Sequence, residues 1–174
     1  MNIIEKIRFN SRIWFFLGFV GCMSLLAMGA YFQFVQGLNP CPLCISQRLA
    51  ILATGLVFLI AALHNPQQKG TTRYAIAGVI TALMGASIST RHVWLQHLPP
   101  EEVPECVGFD LDYMFQYFPL IDTIEMMLSG TGDCAKVDWT LLGFSMPVWT
   151  LLAFLMLAIL SALQIWNYPV KNDV

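Results

Sequence analysis

Five cysteines carry the reactive chemistry of this 174-residue chain: Cys22, Cys41, Cys44, Cys106 and Cys134. Cys41 and Cys44 form a C-x-x-C within Asn39-Pro40-Cys41-Pro42-Leu43-Cys44, whereas Cys106 and Cys134 lie 28 positions apart. A zinc ribbon needs a second closely spaced pair, which is lacking, and no resident metal is expected. A purely structural bridge across two intervening residues would gain little from loop closure. Redox catalysis suits the spacing best, because only a thiolate is a nucleophile and a helix N-terminus or a nearby cation favours it. Cys44 has both in prospect: it opens an apolar segment, and Arg48 four residues on shares its helix face. An arginine there could instead only snorkel toward lipid head groups. Cys22, deep in an apolar run, reads as a small core residue.

A dithiol at the edge of an apolar segment must hand two electrons to an acceptor. A lipid-soluble quinone accepts two, and its carbonyl oxygens need donors as they become negative; Arg48 is placed to donate. His92 falls at a similar depth and could do likewise, or be an interfacial histidine without a role. His97 is expected to be solvated. His64 and His92 fall at opposite ends of their segments, so they cannot clasp one haem.

The elements that position these groups follow from composition. The chain is 57% hydrophobic and 11% charged, against about 45–50% and about 25% in soluble domains. Disorder, a coiled coil and a nucleic-acid-binding domain all need charge that is missing. Four segments, about 13–34, 45–63, 74–90 and 146–166, approach or exceed the roughly 17 apolar residues that cross a bilayer. The class expected is an all-α membrane protein, one antiparallel four-helix bundle over residues 1–174. Its outer loops would be about 35–44 and 95–143.

Charge sets the orientation. Lys6, Arg8, Arg12, Lys69, Arg73 and Lys171 fall on one face, which is assigned to the cytoplasm with both termini. Nine of the 11 acidic residues lie between Glu101 and Asp138, in the long outer loop. A cleaved leader ending near Met28-Gly29-Ala30 was the rival for the first segment. Its charge-free apolar run of 22 residues exceeds the roughly 7–15 of a signal sequence, which favours a retained span. Within the loop, Leu111, Met114, Phe115, Phe118, Ile121, Ile124 and Leu128 recur at helical steps around Pro119. This predicts a broken amphipathic helix on the outer membrane surface; a loop packed on the bundle is the alternative. Cys41, Cys44, Cys106 and Cys134 then face an oxidising compartment, where disulfides persist.

The run Pro40-Cys41-x-Leu43-Cys44-x-x-x-Arg48 resembles the first redox motif of the disulfide bond formation protein B (DsbB) family. Gly132-Asp133-Cys134-Ala135-x-x-x-Trp139-x-x-Leu142-Gly143-x-x-Met146-Pro147-x-Trp149 resembles the end of that family's loop. The resemblance spans about residues 13–166. It implies a bacterial inner-membrane oxidoreductase that reoxidises a periplasmic DsbA-type thioredoxin-fold oxidant and reduces ubiquinone or menaquinone. It also implies the pairing: Cys41 with Cys44, the bridge generated by the quinone, and Cys106 with Cys134, the shuttle bridge. Cys106 would take the attack of reduced DsbA, Cys134 would exchange with Cys41, Cys44 would face the quinone, and Arg48 would support it. His92 lies outside a strict motif. In the DsbA–DsbB system itself DsbA stands near about −120 mV, so an ordinary disulfide near about −300 mV would fall short by roughly 8 kcal/mol. A strongly oxidising quinone pool removes that shortfall. Two other readings remain: a quinone reductase of the vitamin K epoxide reductase type, running electrons the other way, and a membrane scaffold braced by disulfides.

Overall fold

The computed structural model describes residues 11–99, 101–104 and 119–167. Cys106, Lys6, Arg8, Lys171 and the 111–118 half of the amphipathic segment lie outside the described residues. The elements are α1 (Ser11–Phe34), α2 (Pro42–His64), α3 (Gln68–Leu95), α4 (Leu120–Ser129), a 3-10 turn (Gly132–Ala135), β1 (Thr140–Leu141), β2 (Phe144–Ser145) and α5 (Met146–Asn167).

Local chemistry sets the ends of α2. Pro42 takes the first helical position, where its missing N–H costs nothing. At the other end Asn65 adopts the left-handed conformation (φ 46°), and its N–H reaches Ala61 O at 3.0 Å. Pro66 cannot continue the helix.

Helices α1, α2 and α5 are long and apolar enough to cross a membrane. Large apolar side chains such as Phe16, Leu17, Leu56, Ile60, Met156 and Ile159 point outward from them. A soluble surface does not carry so continuous an apolar cover; the chain is a helical integral membrane protein. Helix α3 has 28 residues but falls short of that apolarity. Arg73 and Arg91 bound its apolar stretch, and its inner face is built from Thr71, Ala75, Gly78, Ala82, Gly85, Ala86 and Ser89. These small residues let neighbours approach closely. A Cβ on Gly85 would collide with the Phe154 ring, and one on Gly78 would sit 2.8 Å from that of Phe58.

Helix α1 packs on α2, α2 on α3, and α3 most extensively on α5, which also touches α1. Phe15, Phe58 and Phe154 fill the shared core. Cys22 is fully buried there against Gly55, the small apolar core residue that the sequence suggested.

Helix α4 starts directly after Pro119. Met127 is buried, and Ser46 Oγ of α2 donates to its carbonyl at 3.2 Å, while Ile121, Ile124 and Leu128 stay exposed. The described half of the amphipathic segment thus rests one edge on the bundle and keeps an open apolar face. The β1–β2 hairpin, absent from the sequence reading, turns through Leu142 and Gly143, both with positive φ. Trp149 Nε1 donates to Leu141 O at 3.3 Å and ties the hairpin to α5.

Candidate redox site at the head of the second helix

The N-terminus of α2 organises three of the cysteines. Cys41 is the N-cap, extended at φ −70° and ψ 165°, and its Sγ accepts from the Cys44 backbone N–H at 3.3 Å. The next free amide of the same turn, at Leu43, points at the Cys134 sulfur. One helix end therefore offers N–H donors to two sulfurs, the electrostatics that favour a thiolate.

Cys134 arrives from far along the chain and is fully buried against Leu43 and Leu95. Gly130 makes that approach possible. Its φ is +79°, and a Cβ there would lie 2.6 Å from Leu95 and 2.7 Å from Leu43. Cys41 Sγ stands 3.0 Å from Cys44 Sγ and 3.8 Å from His92 Nε2. The donor atoms of Cys41, His92 and Cys134 all lie within 4.8 Å of one another.

Electrostatics separates the sulfurs. The Cys41 thiol donates to Cys134, which pulls Cys134 down from 9.0 to about 6, helped by the Leu43 and Thr131 groups against its burial. Cys41 is pushed far up by donating to Cys134 and to Cys44, and by burial. The same hydrogen bond thus favours the thiolate of Cys134 and the thiol of Cys41.

Arg48 reaches across to α1, where its guanidinium donates to Gln33 Oε1 and, at 2.8 Å, to Gly29 O. Gly29 makes room for it, since a Cβ would stand 3.1 Å from Arg48 Nε. Arg48, Cys44 and His92 line one cavity of about 300 Å³, walled by Met28, Phe32, Ile51 and Trp149. At its outer rim the loop carries Trp139, whose ring meets Phe32 with centroids 4.8 Å apart. Gln96 fastens that loop, accepting from Ser145 Oγ at 2.6 Å and donating to Lys136 O at 3.5 Å.

The site residues read from the sequence thus converge, apart from Cys106, which lies outside the described residues. His64 sits at the other end of α2, hydrogen-bonded to the Tyr74 hydroxyl at 2.9 Å and remote from His92. His97 is exposed. The supporting amides Gln33, Gln47 and Gln96 and the cradle at Gly29 were missed. Gln33 and Gln47 did leave a trace, as lone polar amides in or beside apolar spans, where unpaired polar groups are costly.

The chain matches the family model for disulfide bond formation protein DsbB over residues 11–164. It is 63% identical over 158 residues to disulfide bond formation protein B of Methylococcus capsulatus, covering 91% of this chain and 96% of that one. It is 51% identical over 157 residues to the protein of the same name from Nitrosococcus oceani, covering 90% and 92%. A third, from Hahella chejuensis, is 51% identical over 146 residues, covering 84% and 88%.

Proposed function

The chain belongs to the DsbB family of disulfide bond formation proteins, and from that premise we propose that it is a quinone-dependent thiol oxidase. It reoxidises a periplasmic DsbA-type oxidant from the bacterial inner membrane. Helix α3 is the fourth span in this reading. Its 28 residues extend about 42 Å at 1.5 Å per residue, beyond the roughly 30 Å of a hydrocarbon core. Lys69, Arg73 and Arg91 stand near its ends. Both termini then face the cytoplasm and the redox loops face the periplasm.

The observation that carries the proposal is the meeting of three sulfurs beside an apolar cavity holding an arginine. Reduced DsbA attacks Cys106 of the Cys106–Cys134 bridge and leaves oxidised, with both cysteines as thiols. The Cys134 thiolate attacks Cys41, forming a Cys41–Cys134 bond and releasing Cys44 as thiolate. Cys106 then attacks Cys134, regenerating the shuttle bridge and freeing Cys41. Each exchange breaks one S–S bond and makes one, so the electron pair ends on Cys41 and Cys44.

The cavity suits a quinone ring: apolar walls at Met28, Phe32 and Ile51, with Arg48 as the donor and His92 on the lining. A bound quinone would supply a sink for two electrons and two protons. Arg48, anchored on α1, holds a fixed positive charge beside Cys44 and favours its thiolate. The apolar walls lower the local dielectric and strengthen that interaction.

Purified protein mixed with reduced DsbA-type oxidant and quinone should bleach the quinone absorbance, and Cys44→Ser should abolish the loss. Full turnover in that variant would sink the assignment. Net reduction of the oxidant by added quinol would favour the epoxide-reductase direction instead. Absence of any mixed disulfide on thiol trapping in cells would leave only the scaffold.

A further inference from the structure

Tetrahedral zinc and cadmium sites take thiolate and imidazole donors, with Zn–S near about 2.3 Å and Zn–N near about 2.0 Å. Such bond lengths set neighbouring donors roughly 3.5–3.8 Å apart. Cys41 Sγ and His92 Nε2 already stand 3.8 Å apart, and the Cys134 sulfur lies within 4.8 Å of both. The three come from three elements: the N-cap of α2, the outer end of α3 and the 3-10 turn. None of that is visible in linear spacing, which offers only one close pair. Cys44 Sγ, 3.0 Å from Cys41, is at hand as a fourth donor. Behind the imidazole stands buried Gln47, 3.0 Å from His92 Nδ1. When Nε2 binds a metal, Nδ1 carries the proton, and the Gln47 amide can turn its oxygen to accept it. Such a partner orients most metal-bound histidines.

We propose that the fully reduced protein holds one thiophilic divalent cation, Zn²⁺ or Cd²⁺, through Cys41, Cys134 and His92. Binding releases the thiol protons and transfers no electrons. Forming either a Cys41–Cys44 or a Cys41–Cys134 bond removes a thiolate and destroys the site, so it exists only in the reduced protein. The sulfurs that hold the cation are those that must react for reoxidation, and the metal therefore locks the protein reduced. The site requires only that these thiols be free, whatever the electron acceptor.

The test uses a full-length Cys22→Ala/Cys106→Ala protein, reduced and freed of reductant under anaerobic conditions. It is titrated with Cd²⁺ while the ultraviolet sulfur-to-cadmium charge-transfer band is followed. One Cd²⁺ per chain is expected in the reduced protein and none after oxidation, an arm that needs no substitution at the site. His92→Ala and Cys134→Ser should each weaken binding by about tenfold or more, by analogy with losses at metal-supporting positions. Affinity unchanged from the parent in both variants would assign the metal to the C-x-x-C alone and overturn the site, as would undiminished uptake by oxidised protein. Quinone and DsbA are absent throughout, so failure of the proposed oxidase function leaves this readout untouched. Conversely, a reduced protein that binds no Cd²⁺ yet turns over quinone would remove the metal site alone.

Discussion

Gln47 on α2 and His92 on α3 meet in a buried 3.0 Å hydrogen bond, with the Gln47 amide nitrogen facing His92 Nδ1. A donor at Nδ1 leaves the proton of a neutral imidazole on Nε2, the nitrogen 3.8 Å from Cys41 Sγ. A residue without acid–base chemistry thereby gives Cys41 a hydrogen-bond donor, and a sulfur that gains negative charge as its disulfide opens is better stabilised.

Gln47→Leu should remove that control. Losing a buried hydrogen bond costs about 1–3 kcal/mol, and the Cys134-to-Cys41 exchange should slow by about five- to tenfold. Rapid-mixing kinetics would measure the rate, and nitrogen NMR of labelled histidine would report the tautomer. An unchanged rate with a shifted tautomer would show that the His92 proton does not matter to Cys41.

The charge on Cys134 gives a pH signature. Reduced Cys106→Ala protein should show a thiolate absorbance that half-titrates near pH 6. In the exchange step Cys41 is bridged to Cys44 and has no thiol proton to donate, so the exchange rate should keep rising above that point as more Cys134 becomes thiolate. Cys41→Ala removes the donated hydrogen bond and should move the midpoint up toward 9.0. A midpoint indifferent to that substitution would assign the shift to the Leu43 and Thr131 groups alone.

Gly29→Val should act on the quinone step without touching a sulfur. The added side chain meets the Arg48 guanidinium, since even a Cβ stands 3.1 Å from Nε, and pushes it from its Gln33 and Gly29 anchors. The expected outcome is a KM for quinone raised about tenfold, with DsbA exchange nearly unchanged. Equal losses in both half-reactions would instead indicate general disruption of the α1–α2 contact.

Gly85→Val probes the packing of α3 on α5. The Phe154 ring leaves no room for a Cβ, and overpacking costs typically about 1–3 kcal/mol. The melting temperature in detergent should fall by several degrees, with quinone KM preserved in the folded fraction. Gly21→Ala, where a Cβ meets nothing within 4 Å, is the matched control and should leave the melting temperature near that of the parent.

Much of this was legible in the residues, for identifiable reasons. Composition reveals apolar helices because lipid demands an apolar exterior, and the fourth expected segment coincides with α5 almost residue for residue. The 74–90 segment stops at Arg73 and Arg91, where the apolar run ends, while the helix itself continues past both, from Gln68 to Leu95. Cys41, Cys44 and Arg48 could be grouped from spacing because the first two turns of one helix hold them. The hairpin at Leu142-Gly143 could not, since Leu142 gives no signal for a positive φ. Nor could the contacts of His92 with Cys41 and Gln47, which depend on how α3 docks against α2. Pairwise docking of helices leaves no periodic mark in either one.

Cys41 stands between two sulfurs and has a single bond to offer. Joined to Cys44 it is open to attack by Cys134, joined to Cys134 it leaves Cys44 free, and as a thiol it can accept neither. The head of α2 therefore behaves as a turnstile, admitting one electron pair and refusing the next until the first has cleared. In that reading the exchange turns on one cysteine side chain passing over a few ångströms between its two partners.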